Sequence, residues 1–102
     1  MGNPNIWTIM LSRKAGNQRE QLPSKIRARF DLLQKNIELS GPIQKSWQNF
    51  SSLKKTRCIF EDSYHCHVKK GRPTYVACWR VLSKKDKLIE VFYVGSHEDA
   101  PY

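Results

Sequence analysis

The chain has 102 residues and a formal net charge of +9 at pH 7, because 18 Lys and Arg outnumber 9 Asp and Glu. This length leaves room for one domain with a single small core, and three cysteines, an odd number, do not make a disulfide framework. The positive charge favours nucleic acid as the partner over an anionic membrane surface or an acidic protein, since no basic amphipathic helix exposes an aromatic face.

The first residues do not resemble a signal peptide, and no apolar run approaches the length of about 18 residues that a membrane helix needs. We therefore expect a soluble cytoplasmic protein without membrane contact. Neither internal repeats nor low-complexity segments divide the chain, so we expect residues 1–102 to form a single domain.

The first predicted element is a short strand at residues 6–11, where the apolar run IWTIML contains β-branched residues. Basic residues follow it, and Gly16 and Asn17 come next. We expect regular structure to break at this pair.

Residues 18–39 are predicted to be helical. Apolar side chains recur there at intervals of three or four residues and form one stripe along a helix: Leu22, Ile26, Phe30, Leu33 and Ile37. Pro23 suits a first helical turn, which predicts a short turn before it and the main helix after it. Gly41 and Pro42 end the helix. The opposite face is either solvated or an interface, and it carries Lys25, Arg29 and Lys35.

Residues 43–55 follow no regular pattern. We expect Trp47, Phe50 and Leu53 to fill the edge of the core where helix meets sheet. The basic residues after them add charge, and residues 58–60 form either a short strand or an irregular lead-in.

The last third contains strand-like segments at residues 64–69, 76–82 and 88–94. They are rich in β-branched and aromatic residues, and Lys-rich turns separate them. The linker SKKDK has the length of a hairpin loop. One strand, a helical part and then a run of strands indicate an α+β domain whose helices pack on one face of an antiparallel sheet.

Polar side chains capable of proton transfer lie on these strands and just after them. Alternation on the first of the three separates two sets: His65, His67 and Lys69 on one face, and Tyr64, Cys66 and Val68 on the other. The same rule gives the last strand one shared face with Ile89, Val91, Tyr93, Gly95 and His97. Antiparallel neighbours would then bring His97 near His65 and His67.

Positive charge accompanies this cluster. Seven Lys or Arg lie between Ser63 and Lys87, against one acid, Asp86. Such a surface attracts phosphate, and histidine can act as acid or base near neutral pH. Tyr102 either frays or folds back over the basic face.

The triplet His65-Cys66-His67 contains metal-ligand types, so a metal site is an alternative interpretation. Strand alternation turns Cys66 away from both histidines, and Cys58 and Cys78 lack zinc-type spacing. We therefore expect neither a metal nor another cofactor, and we expect the cysteines to fill a core rather than to act as nucleophiles.

With these elements in this order, the chain resembles the RelE/ParE superfamily of bacterial type II toxins, and within it the RelE-like branch. The segment YHCHVKKGRPTYVACWRV looks like the family's penultimate hairpin, and IEVFYVGSHEDAPY is similar to its final strand and tail. The opening WTIMLSRKA, followed by LPSKIRARFDLL, also resembles the family's beginning. The resemblance covers nearly the whole chain and rests on the order of these motifs.

The resemblance implies a RelE-like fold, in which an N-terminal strand and helices pack on an antiparallel sheet of about four strands. RelE-like members cut mRNA in the ribosomal A site, ParE-like members inhibit DNA gyrase, and an antitoxin wraps and neutralises both. The implied function is a ribosome-dependent mRNA endonuclease whose partners are a cognate antitoxin, the ribosome and mRNA. A gyrase inhibitor of the same fold and a non-catalytic basic RNA- or ribosome-binding module are the alternatives.

The resemblance also implies site residues. His97 sits where many RelE-like toxins place an Arg or His, and Tyr102 lies near the family's C-terminal Tyr. The expected catalytic residues are His97, His65, His67 and Tyr102, and the expected RNA-binding residues are Lys69, Lys70, Arg72, Lys54 and Lys55. The sequence departs from RelE at Val76 or a neighbour, where RelE has an Arg, and at His65 and His67, which replace Arg or Lys.

We assign roles to this set from the chemistry of RNA cleavage by its own 2′-hydroxyl. His97 is the acid or base, and His65 or His67 is its partner. The cations stabilise the added phosphate charge, and Tyr102 is a positioning group or a proton donor.

Overall fold

The computed structural model describes residues 5–53 and 60–102. Its elements, in chain order, are β1 (Thr8–Leu11), α1 (Arg13–Glu20), α2 (Ser24–Ser40), β2 (Ser51–Ser52), β3 (Ser63–Lys69), β4 (Tyr75–Ser83), β5 (Leu88–Ser96) and a 3-10 helix (His97–Asp99). The predictions for Lys54, Lys55, Cys58 and Ile59 lie outside the described residues.

The strands form one sheet in the order β1-β5-β4-β3-β2. β1 runs parallel to β5, and the other neighbouring strands are antiparallel. The predicted α+β class is confirmed, but the described sheet has five strands rather than about four and is not antiparallel throughout. Two facts explain the difference: the two serines of β2 carry no apolar pattern, and periodicity within β1 does not encode which strand becomes its neighbour.

The first helix, α1, differs from the prediction because it runs through the predicted break at Gly16 and Asn17. Ser12 caps α1, its Oγ accepting from the backbone N–H of Ala15 at 3.1 Å, and Ala15 is fully buried. These contacts carry the helix through Gly16 and Asn17, so the predicted break at that pair is wrong. The main helix does start after Pro23, as predicted, and it ends at Gly41, whose φ of 89° is accessible mainly to glycine. No helix within residues 5–53 or 60–102 is long and apolar enough to cross a membrane.

The main core lies between the helices and one face of the sheet. Phe30, Leu33 and Ile37 of the predicted stripe are fully buried there against Trp79, and each such side chain stabilises the fold by about 1.5–3 kcal/mol. Trp47 and Phe50 pack on this core, as predicted.

A second, smaller cluster covers the other face of the sheet. It contains Leu53, Val76, Cys78 and Tyr93, with Tyr102 packed against it. Leu53 therefore lies across the sheet from the helices, contrary to the prediction that it joins Trp47 and Phe50 at the core edge.

A register shift in β5 decides which side chains reach this second face. Cys78 pairs with Tyr93, but the next residue of β4, Trp79, pairs with Val91, so Phe92 is an extra residue in the ladder. Ile89 and Val91 consequently join the main core while Tyr93 joins the second cluster. The predicted single face for residues 89, 91, 93, 95 and 97 is wrong, because strict alternation cannot anticipate the bulge.

Gly95 closes β5 at a position where the backbone passes over a side chain. The Tyr93 hydroxyl donates to the carbonyl oxygen of Ser96 at 2.6 Å. A Cβ on Gly95 would lie 2.9 Å from that hydroxyl oxygen, so only glycine fits without a shift. The arrangement fixes the direction in which the chain leaves the sheet toward His97.

Candidate functional site

The first part of the site is the pair of histidines on β3. The predicted alternation of this strand is confirmed as far as Val68: Cys66 and Val68 belong to the main core, whereas His65 and His67 lie on the opposite face. The prediction that Lys69 shares the histidine face is wrong, because the register shifts between His67 and Lys69 and pairs Lys69 with Tyr75, which packs against the main core. Burial raises the pKa of the Cys66 thiol to about 12, so this side chain stays a neutral core residue.

The second part is the segment of residues 97–102, which folds back across the sheet. The backbone N–H of His97 donates to the carbonyl oxygen of Thr74 at 2.8 Å, and that of Ala100 donates to the carbonyl oxygen of His97 at 3.2 Å. Tyr102 then stacks on His65, with ring centroids 4.5 Å apart and planes inclined by 16°. The C-terminal Tyr102 therefore folds back over the sheet, which is one of the two alternatives given by the sequence, rather than fraying.

The two parts meet in one cluster of rings. His97 lies edge to face with His67, at 5.9 Å between centroids, and edge to face with Tyr102, also at 5.9 Å. The predicted approach of His97 to His65 and His67 is confirmed. The ring of His97 is exposed and makes no hydrogen bond to any of the described residues.

Two residues that sequence reasoning missed hold the β3 histidines. Asn49 places its Nδ2 3.0 Å from Nε2 of His67, and Ser51 places its Oγ 2.9 Å from Nε2 of His65. Ser51 reaches His65 because the two residues are directly paired between β2 and β3. The only available signal was an Asn-x-Ser spacing in a segment without periodicity, which predicts nothing specific by itself.

Burial separates the charge states of these groups. Burial, followed by the charges of the neighbouring His67 and His97, lowers the pKa of His65 to about 4. Burial also lowers the pKa of His67, assisted by His97 and Lys70. Burial raises the pKa of Tyr102 to about 12. At neutral pH His65 is therefore a neutral ring and Tyr102 keeps its proton.

The exposed side of the cluster opens into a groove of about 540 Å³, lined by His67, Arg72, Pro73, Thr74, His97 and Glu98. Arg72 is the predicted phosphate-binding residue that lines it. Lys69 and Lys70 are exposed, at the end of β3 and in the turn that leads to Arg72, and neither is among the residues that line the groove. Arg72 and His97 therefore line the same groove, which brings a cationic side chain and an imidazole to one opening.

The histidines do not form a metal centre: within the described ranges, no three His, Cys, Asp or Glu residues are arranged so that they could hold a metal ion. The chemistry that this arrangement offers is proton transfer at His97 and anion binding at Arg72.

Comparison with known proteins gives matches among solved structures. No protein-family model and no curated protein matches this sequence. A mutant of the E. coli toxin RelE in the free state is 15% identical with a TM-score of 0.67, over 93% of this chain and 87% of that one. A YoeB dimer from Staphylococcus aureus is 17% identical with a TM-score of 0.67, over 89% of this chain and 97% of that one.

A third similar structure is the intact E. coli RelBE toxin-antitoxin complex, at 18% identity and a TM-score of 0.63, over 88% of this chain and 95% of that one. Identities this low establish a common fold rather than a common activity. The fold implied by the sequence resemblance is confirmed: this chain has the fold of the RelE-like toxins.

Proposed function

We propose that this chain is the toxin of a type II toxin-antitoxin system and an endonuclease that cuts mRNA on the ribosome. The observation that carries the proposal is the position of His97, an exposed imidazole on the rim of a groove that also contains Arg72. This pairing of a proton-transfer group with a phosphate-binding cation occurs in a chain whose fold is similar to those of the toxins RelE and YoeB.

The reaction uses the RNA's own 2′-hydroxyl as nucleophile. The 2′-oxygen bonds to the adjacent phosphorus, the bond from phosphorus to the 5′-oxygen breaks, and the products are a 2′,3′-cyclic phosphate and a 5′-hydroxyl. His97 takes the proton of the 2′-hydroxyl, and water in the open groove supplies the proton that the leaving 5′-oxygen needs. Arg72 stabilises the charge on the phosphate, while Lys69 and Lys70 draw the strand toward the groove.

The remaining members of the predicted set support His97. His65 stacks on Tyr102, and His67 lies edge to face with the His97 ring. Tyr102, whose pKa is raised to about 12, holds its proton too tightly for an efficient general acid at neutral pH. We propose that Tyr102 is a positioning group rather than a proton donor.

The test is expression from an inducible promoter, with growth followed alongside primer extension on an abundant message. We expect growth arrest and new 5′ ends inside translated codons, both lost in His97→Ala. The control is Lys25→Ala, an exposed position on α2 across the sheet from the groove, and it should behave as wild type. Growth arrest with intact messages and a DNA-damage response would support gyrase inhibition instead.

We further propose an antitoxin partner and a cytoplasmic location beside the ribosome. The similar RelBE structure is a toxin-antitoxin complex, and a net charge of +9 suits an acidic partner. Co-expression with a short acidic reading frame adjacent to this gene should restore growth, and the two products should co-purify. Restored growth without co-purification would contradict direct neutralisation.

A further inference from the structure

Residues 48–51 run beside β3 and send alternate side chains to opposite faces of the sheet. The carbonyl oxygen of Gln48 accepts from the backbone N–H of His67 at 2.8 Å, and Ser51 pairs with His65. Between them, Phe50 packs into the main core, with its ring 5.7 Å from that of Tyr64. This anchoring leaves the neighbours of Phe50 on the histidine face.

Asn49 has the backbone conformation that this placement requires. Its φ of 58° lies in the left-handed region, which asparagine tolerates better than most residues. In this conformation its Nδ2 reaches within 3.0 Å of Nε2 of His67. With the amide nitrogen on this side, Asn49 donates, Nε2 accepts with its lone pair, and the ring proton sits on Nδ1.

We propose that Asn49 is a positioning residue that holds His67 as the neutral tautomer with its proton on Nδ1. The consequence for catalysis rests on the proposed nuclease function: His67 does not compete for the 2′-hydroxyl proton, and His97 is the ring that exchanges protons with RNA. The three histidines then divide their work, since His65 supports Tyr102, His67 braces His97, and His97 performs the transfer.

The surroundings of His67 favour a neutral ring. His97 lies against it at 5.9 Å, Lys70 lies close enough to affect its titration, and Arg72 lines the same groove. Glu98 is the one acid among the lining residues. A second positive imidazole would face these cations, and a protonated Nε2 would lose the bond from Asn49. Nδ1 of His67 is itself buried and has no hydrogen-bond partner in the described part of the chain, and Nε2 is occupied by the Asn49 amide.

The experiment is long-range proton–nitrogen NMR on the nitrogen-15-labelled protein. The chain contains three histidines, so the ring signals separate easily, and a His67→Gln sample assigns the relevant one. Each nitrogen's shift reports directly whether it carries a proton. We compare the wild type with three variants: Asn49→Gly, which keeps the left-handed backbone and removes the amide; Asn49→Asp, which replaces the donor with an acceptor; and Gln48→Ala as the adjacent control.

In the wild type we expect His67 to show a protonated Nδ1 and an unprotonated Nε2. Asn49→Gly should move the proton toward Nε2. Asn49→Asp should place the proton on Nε2 and raise the pKa of His67, because a carboxylate accepts from that nitrogen and stabilises the charged ring. Gln48→Ala should match the wild type, since the contact of Gln48 with His67 uses its backbone carbonyl.

Two results would overturn the inference. One is a protonated Nε2 on His67 in the wild type, which would mean that the Asn49 amide accepts rather than donates. The other is an unchanged tautomer in both Asn49 variants. The NMR readout needs no RNA, so a failure here is distinct from a failure of the nuclease proposal.

Discussion

Tyr102→Phe is the substitution that most directly separates the two roles considered for Tyr102. The Oη atom of this residue is buried and has no hydrogen-bond partner within the described residues. Leaving a buried polar group without a partner costs about 1–3 kcal/mol. Phenylalanine keeps the ring stacked on His65 at 4.5 Å and removes that cost.

We therefore expect Tyr102→Phe to stabilise the folded chain by about 1 kcal/mol, the lower end of that range. For a domain near this size the thermal midpoint should rise by about 4–8 °C. Tyr93→Phe is the matched control, because the Tyr93 hydroxyl donates to the carbonyl oxygen of Ser96 at 2.6 Å. Losing that hydrogen bond should lower stability by about 1 kcal/mol.

The assay is thermal unfolding of both variants followed by circular dichroism, together with cleavage of ribosome-bound mRNA. A positioning role predicts that Tyr102→Phe cleaves at nearly the wild-type rate, since the ring that contacts His97 is retained. If the thermal midpoint of Tyr102→Phe falls as far as that of Tyr93→Phe, the inference that the Tyr102 hydroxyl lacks a hydrogen-bond partner is refuted. A large loss of cleavage with the fold intact would show that the hydroxyl itself takes part in the reaction.

Other changes test the packing, the titration and the phosphate contact. The pKa of His65 is about 4 in the folded chain against an ordinary value of 6.5, so between these pH values the unfolded chain binds more protons than the folded one. The free energy of unfolding should therefore fall by about 3 kcal/mol from pH 6.5 to pH 4. Urea unfolding of the wild type and of His65→Gln at both pH values isolates the contribution of His65. Gly95→Ala should lower the free energy of unfolding by about 1–3 kcal/mol, because the added Cβ would lie 2.9 Å from the Tyr93 hydroxyl oxygen. An unchanged urea midpoint would contradict this close approach. Arg72→Ala should weaken RNA binding and reduce the slope of the logarithm of the binding constant against the logarithm of salt concentration by about one unit. Lys25→Ala should leave both the affinity and the slope unchanged. Equal slopes in the wild type and Arg72→Ala would show that Arg72 does not contact phosphate.

The features that sequence predicted best depend on local patterns. The stripe of Phe30, Leu33 and Ile37 fixes the buried face of α2, and Pro23 and Gly41 mark its ends. Period-two alternation places His65 and His67 on one face of β3 because no bulge interrupts that part of the strand.

The features that sequence missed depend on contacts between distant segments. The helix α1 continues through Gly16 because Ser12 caps it and Ala15 packs into the core, and tertiary packing outweighs the low propensity of glycine. The extra residue Phe92 reverses the alternation of β5, and no local signal marks it. Asn49 joins the site only through a backbone φ of 58° beside β3, which composition does not reveal.

A reconstituted cleavage assay measures whether this protein cuts ribosome-bound mRNA through His97. Purified protein is mixed with labelled mRNA, either free or bound to translating ribosomes, and the new ends are mapped and their chemistry determined. The account predicts 2′,3′-cyclic phosphate ends on ribosome-bound mRNA, and a rate that falls about 100-fold or more in folded His97→Ala. Intact mRNA with the wild-type protein, or cleavage at the same rate in His97→Ala, would contradict it.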